Sequence, residues 1–294
     1  MTSQSRELHQ KETGIAPPFS RVSPAELLEV FRLKHGDPTT TGWRPRMSYQ
    51  AGYFTPDEHY EALLNRLVEP GTRWLDVGCG RDLLPSNPKL AAIVASRCSE
   101  VVGVDPDDNV LENTLLHRRV KGTIEDFPDT DTFDLITLRM VAEHITQPEV
   151  VVKHLARLCR PGGVVLVYTV DAWAPLSVVA WLTPFRLHHP IKKLLWGTED
   201  RDTFPVVYRM NSRRRLKRLF GEAGCAELLF AYLPDCRTFA RFRWLHWIEL
   251  QAWKACERVG LCYPEKCLLG AYQRRSPQQA ASSEDPVEDR PDRR

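Results

Sequence analysis

Between residues 57 and 170 the chain alternates two kinds of apolar pattern. Short runs of consecutive apolar residues are separated by stretches in which apolar residues recur every three or four positions. The first pattern is that of a strand buried on both faces, the second that of a helix with one buried face. Strands are predicted over Arg73–Val77, Val101–Asp105, Phe133–Leu138 and Val164–Tyr168, with a shorter one over Val120–Thr123. Helices are predicted over Asp57–Val68, Pro88–Arg97, Asp107–His117 and Pro148–Arg160. Proline suits the first turn of a helix, where its missing N–H has no partner to lose, so Pro88 and Pro148 mark starts. Pro70-Gly71 and Pro161-Gly162-Gly163 mark stops.

Strands that alternate with helices build a parallel sheet with helices on both faces. The expected fold class is α/β, a Rossmann-like, doubly wound, mostly parallel sheet. Beyond residue 171 the rhythm changes. A helix is predicted over Asn211–Ala223, a strand over Ala226–Leu233, a Trp-rich helix over Arg237–Val259 and a last, antiparallel strand over Lys266–Tyr272. Upstream, Ser23 precedes Pro24 and caps a helix that runs to Lys34. These elements divide the chain into a disordered leader (1–20), a helical extension (21–56), a main domain (57–275) and a disordered tail (276–294). Within the main domain, 171–210 and 237–260 are variable segments expected to form a helical lid over a substrate.

Composition sharpens this only a little. Apolar residues make up 43% of the 294, enough for a sizeable core, and the net charge is +2. So small a charge gives no general attraction to nucleic acid, and none is expected as a partner. The basic run Arg213-Arg214-Arg215, with Lys217 and Arg218, is read as a solvated helix face. The eight cysteines form no C-x-x-C pair and no common zinc spacing, so reduced thiols, no metal site and a cytoplasmic setting are expected. Neither a signal-type leader nor a spanning segment of roughly 20 apolar residues is read in the chain.

Chemistry concentrates at the ends of the predicted strands. The first runs into Asp76-Val77-Gly78-Cys79-Gly80, a glycine turn that lets the backbone approach a ligand closely. The second ends in Asp105, a carboxylate able to accept hydrogen bonds from both hydroxyls of a ribose. The same acid would equally cap the next helix. Phe133-Asp134-Leu135-Ile136 is followed by Glu143-His144-Ile145, and Leu158-Cys159-Arg160-Pro161-Gly162-Gly163 leads straight into a strand.

In that order and spacing, residues 60–169 resemble the core of class I S-adenosylmethionine-dependent methyltransferases, particularly the small-molecule group. The resemblance implies S-adenosyl-L-methionine as cofactor. It places Asp76, Gly78, Cys79 and Gly80 along the methionine side, Asp105 at the ribose, and Ile124 and Glu125 beside the adenine. Leu138 and Arg139 would close the pocket. The sequence departs from the pattern at Asp82, where a third glycine is usual, and at Thr123, where an acid is usual. Asp82 would then face the methionine ammonium, with Arg81 near its carboxylate, or both would face solvent on a wider loop.

A bound sulfonium is already activated, so the protein has chiefly to align the acceptor with it. A hydroxyl acceptor also needs a base, and His144 is the nearest candidate. The implied activity is O-methylation of a small-molecule, lipid-like or glycan-linked acceptor. The aromatic and basic segments 173–197 and 241–253 suit an apolar substrate or a peripheral membrane contact. Two competing readings remain open, a non-catalytic methyltransferase-like binding module and a nicotinamide-dependent oxidoreductase.

Overall fold

The computed structural model describes residues 21–128, 132–182 and 206–276. The leader, residues 129–131, the segment 183–205 and residues 277–294 of the tail lie outside the described residues. Helices α1 (Pro24–His35), α2 (Trp43–Ala51) and α3 (Pro56–Leu67) precede β1 (Arg73–Val77). Then come α4 (Pro88–Arg97), β2 (Glu100–Asp105), β3 (Arg118–Lys121), β4 (Phe133–Arg139), α5 (Pro148–Leu158) and β5 (Cys159–Val170). The chain continues with α6 (Pro175–Leu182), α7 (Arg213–Glu222), β6 (Cys225–Pro234), α8 (Arg243–Arg258) and β7 (Lys266–Arg274).

The seven strands form one sheet in the order β3-β2-β1-β4-β5-β7-β6. All neighbours are parallel except β7, which runs antiparallel to both β5 and β6. This is the expected doubly wound sheet with its antiparallel C-terminal strand.

Side chains alternate across a strand, so each central strand feeds two cores. Trp74, Leu135, Leu166 and Tyr168 pack with Leu27 and Val30 of α1, Tyr60 and Leu63 of α3, and Leu90 and Val94 of α4. Leu75, Ile136, Leu138, Val165 and Val167 face the other way, onto Val151 and Leu155 of α5 and Leu216 and Phe220 of α7. Reciprocal capping boxes fix the starts of α1 and α3, Ser23 with Glu26 and Thr55 with Glu58.

Two expectations need correction. The helix expected over Asp107–His117 is a single 3-10 turn, Asp108–Glu112. It stops because Asn113, almost fully buried, spends its side chain on Leu115 N and Gly80 O, an alternative to helix continuation. The Trp-rich helix starts at Arg243 rather than Arg237. The Thr238 and Phe239 N–H groups donate to Glu249 of that same helix, which holds the preceding residues in a turn. Helix α2 has no counterpart in the apolar pattern, since its only buried residue is Ser48. Among the described residues no helix is long and apolar enough to cross a membrane.

Candidate functional site

The turn after β1 builds the first half of the site. Gly78 and Gly80 adopt φ of 68° and 53°, in the left-handed region that costs glycine nothing. Gly78 N donates to Val104 O of β2, and Gly80 N donates to the Asp105 carboxylate at 2.9 Å. The other Asp105 oxygen accepts from Asp107 N at 2.8 Å. Asp105 therefore ties the glycine turn to the end of β2, and the cap of the following 3-10 turn is Asp107 instead.

Above this turn, at the carboxyl edge of β1, β2 and β4, opens a cavity of about 840 Å³. An open parallel sheet offers its ligand crevice at this edge. Of the sequence-derived residues, Gly78, Cys79, Gly80, Asp82, Asp105, Ile124, Glu125, Arg139 and His144 all line it. Arg81 also reaches the cavity, but its guanidinium is engaged by Glu112 at 2.8 Å and Asn109 at 3.0 Å. Thr123 stands at the wall, and its hydroxyl donates to Asp126, which does not itself line the cavity, at 2.8 Å.

Asp76 and Leu138 do not line this cavity. Parity along the strands explains both. Asp76 shares the Trp74 face of β1, where it accepts the Thr137 hydroxyl at 2.5 Å, with Trp74 Nε1 donating to the same hydroxyl. Burial pushes its carboxyl up to about 7, against the opposing effects of Thr137 and Arg139. Leu138 is fully buried with Ile136 against the α5 side of the sheet. Cys79 lines the cavity by its backbone side while its sulfur packs over Gly103, 2.6 Å from where a Cβ on that glycine would sit. Burial, followed by the nearby Asp76 and Asp105 carboxylates, drives its thiol far above the ordinary range, so Cys79 is no nucleophile.

A second cavity, of about 610 Å³, adjoins the first. Its lining comes from elements remote in sequence: α1, α2, the start of α3, α6, the residues after β6 and α8. Phe31, Pro45, Tyr53, Leu176 and Val179 make much of the wall apolar. Arg237 lies across it, bound by Asp235 at 2.6 Å and by Asp57. Glu265 accepts Leu176 N at 3.0 Å, and burial pushes its carboxyl up to about 7.

One thin wall separates the two cavities. Met140 lines both, and it holds a left-handed φ of 57° although it is not glycine. Such strain persists only where the surroundings enforce it. Here Met140 N donates to Tyr168 O, so the chain leaving β4 stays locked to β5. On either side of the wall, neighbours in sequence face opposite ways. Glu143 lines the second cavity and His144 the first; Tyr208 lines the second and Val207 the first. Val207 N and Tyr208 N both donate to Glu143 O, which joins the two segments of the wall. The Glu143 carboxylate accepts Thr169 Oγ1 at 2.7 Å, and burial raises its pKa.

His144 is thus brought to the first cavity and not to the second. The sequence reading assigned no role to Met140, Glu143, Arg237 or Glu265. The strand-end position of Met140, directly after β4, was the one local signal available for it.

A profile of the methyltransferase domain family matches residues 50–228. A ubiquinone biosynthesis O-methyltransferase of Rhizobium etli (strain CIAT 652) is 31% identical over 143 residues, which cover 42% of this chain and 54% of that protein. Another, of Alkalilimnicola ehrlichii, is 35% identical over 113 residues, 34% of this chain and 42% of its own length. The chain therefore spans about half the length of the curated relatives it matches. A solved structure of a geranyl diphosphate methyltransferase with its ligands aligns over 87% of each chain, at 18% identity and a TM-score of 0.47.

Proposed function

This chain belongs to the methyltransferase domain family, and from that premise we propose that it moves a methyl group from S-adenosylmethionine to a hydroxyl of a small, largely apolar acceptor. The observation that carries the reading is the pair of cavities meeting at Met140. The first has the features the cofactor needs: a close backbone turn, a carboxylate at the end of β2 and apolar walls at Ile124, Val141 and Ile145. The bound cofactor supplies an activated methyl group on sulfur.

The chain's own residues then supply alignment. Asp105 holds the turn and presents its remaining lone pairs to a ribose. Ile124 and Val141 give apolar contact to a flat base. Because the two cavities meet at Met140, an acceptor in the second would approach the methyl group from one direction, which is most of what an in-line displacement requires. Hydroxyl rather than amine is favoured as the acceptor group because the matched relatives are named O-methyltransferases.

Thermal shift tests the reading. S-adenosylhomocysteine at about 100 times its Kd stabilises the native state by about 2.7 kcal/mol. For a domain of this size that raises Tm by roughly 5–10 °C. NADH is expected to give no shift. A rise with NADH alone would sink the proposal in favour of the oxidoreductase. Binding of S-adenosylhomocysteine without methyl transfer to any hydroxylated aromatic or lipid extract, read by mass spectrometry, would leave the non-catalytic module as the better reading.

A second proposal concerns where the acceptor comes from. Trp173 and Trp244 are each 79% exposed, and Phe242, Leu245, Trp247 and Ile248 are exposed beside Trp244. Arg241 and Arg243 interleave with them, and no acidic residue occurs from 237 to 248. Aromatic and basic residues on one helical surface suit the interface of an anionic bilayer, which would place the acceptor chamber at a lipid surface. Vesicles of phosphatidylcholine with 30% phosphatidylglycerol should sediment the protein, and the double variant Trp244→Ser, Trp247→Ser should stay in the supernatant. Equal sedimentation of both proteins would refute the contact.

A further inference from the structure

We propose that Arg44, Ser48 and His246 form a subsite for a carboxylate of the acceptor, at the end of the second cavity built by α2 and α8. The inference rests on the reading of that cavity as the acceptor chamber.

Arg44 and Ser48 stand four residues apart on α2 and so share one face of it. Both line the cavity, as does His246 of α8. Ser48 Oγ and His246 Nε2 lie 3.2 Å apart, joining the two helices across 198 residues of sequence. The imidazole is 1% exposed, yet among the described residues its Nδ1 has no hydrogen-bond partner. The nearest acid oxygen, on Glu249, is 3.7 Å away, and the Glu249 carboxylate is occupied by the Thr238 and Phe239 N–H groups at 3.1 and 3.3 Å. A buried ring nitrogen left without a partner is costly, and a ligand group that meets it recovers that cost.

The neighbouring charges set the sign of the ligand. Elsewhere in the chamber each cation is already matched: Lys34 by Glu61 at 3.3 Å, His35 by Glu58 at 3.0 Å, and Arg237 by Asp235 and Asp57. Arg44 has no ion-pair partner among the described residues, and its guanidinium is the donor fork best shaped for a carboxylate. The carboxylates Glu143 and Glu265 are held by the Thr169 hydroxyl and the Leu176 N–H, and Glu143 stands in the wall with Met140. The chamber is therefore polarised. The Glu143 carboxylate lies toward Met140, where a hydroxyl proton has to be received. Donors without partners line the α2–α8 end. A molecule with a hydroxyl at one end and a carboxylate at the other satisfies both, with its apolar middle against Phe31 and Tyr53.

Calorimetry on the full chain, saturated with S-adenosylhomocysteine, tests this with 3-(4-hydroxyphenyl)propionate and its uncharged amide as probes. The acid should bind about tenfold more tightly than the amide, the worth of one charge-assisted hydrogen bond. Arg44→Met and His246→Gln should each remove most of that preference and leave the amide and S-adenosylhomocysteine affinities unchanged. Arg44 is exposed, so its variant poses no threat to folding and decides the matter even if His246→Gln melts early. Equal affinity of acid and amide for the wild type, or an undiminished preference in Arg44→Met, overturns the subsite. Failure of the wild type to bind S-adenosylhomocysteine would instead count against the methyltransferase reading, so the two failures are separate.

Discussion

Gly78→Val is expected to lower S-adenosylhomocysteine affinity at least about 100-fold, which corresponds to about 2.7 kcal/mol. A Cβ on Gly78 would lie 2.2 Å from Val141 Cγ2, well inside contact distance. The backbone there sits at φ +68°, where a β-branched residue is disfavoured. The clash cannot be relieved cheaply. Val141 follows Met140 in the wall between the cavities, and the space into which it would retreat is the first cavity, proposed above for the cofactor. Overpacking of this kind costs about 1–3 kcal/mol, to which backbone strain adds about 1–3 kcal/mol.

Part of that cost falls on stability, so affinity has to be measured on protein shown folded by circular dichroism. Gly80→Ala is the control. Gly80 shares the left-handed backbone, at φ +53°, but an added Cβ would meet nothing within 4 Å. Because Gly80 also lines the first cavity, its variant should bear the strain without the Val141 clash and lose less affinity than Gly78→Val. A folded Gly78→Val protein that binds within threefold of wild type would show that the site lies elsewhere.

The glycine turn and its place on the sheet were legible because both are local. The apolar runs at β1, β2, β4 and β5 specify strands buried on both sides, and a turn at the end of such a strand has one place to go. Asp76 and Leu138 show what spacing alone misses. Each sits within the expected motif, yet the period-2 alternation that puts Trp74 and Asp76 on one face buries that carboxylate under Thr137. The same alternation sends Leu138 into the core with Ile136. The parity was present in the sequence, but nothing local said which face was the cavity.

The second cavity, proposed above as the acceptor chamber, was not legible, for a different reason. Ser48 and His246 meet across 198 residues, and Arg237 meets Asp57 across 180. No periodicity within α2 announces it as a wall, because what α2 buries is a serine rather than an apolar stripe. The failed helix after Asp107 belongs with these. Its apolar spacing is adequate, but Asn113 is claimed by the carbonyl of Gly80, a contact that exists only once the turn has formed.

Asp105→Asn is expected to weaken S-adenosylhomocysteine binding at least about tenfold, and Asp105→Ala more. The carboxylate is 7% exposed and has a defined task in the protein, accepting Gly80 N through one oxygen and Asp107 N through the other. Each oxygen retains a lone pair for a ribose hydroxyl, and hydrogen bonds to a charged group contribute about 1.5–3 kcal/mol each. Asparagine has one acceptor oxygen. Its amide nitrogen must therefore face a backbone N–H, donor against donor, so Asn cannot reproduce the wild-type turn. A fall in affinity alone would thus not separate loss of a ribose contact from loosening of the glycine turn. The 2′-deoxy analogue of S-adenosylhomocysteine separates them. If Asp105 holds the 2′-hydroxyl, wild type should bind the analogue about tenfold less tightly, and Asp105→Ala should scarcely distinguish the two ligands. If Asp105 only braces the turn, the penalty for the missing hydroxyl should be the same in wild type and variant, since the residue and the hydroxyl then act independently. Equal penalties would overturn the ribose assignment while leaving the placement of the cavity intact.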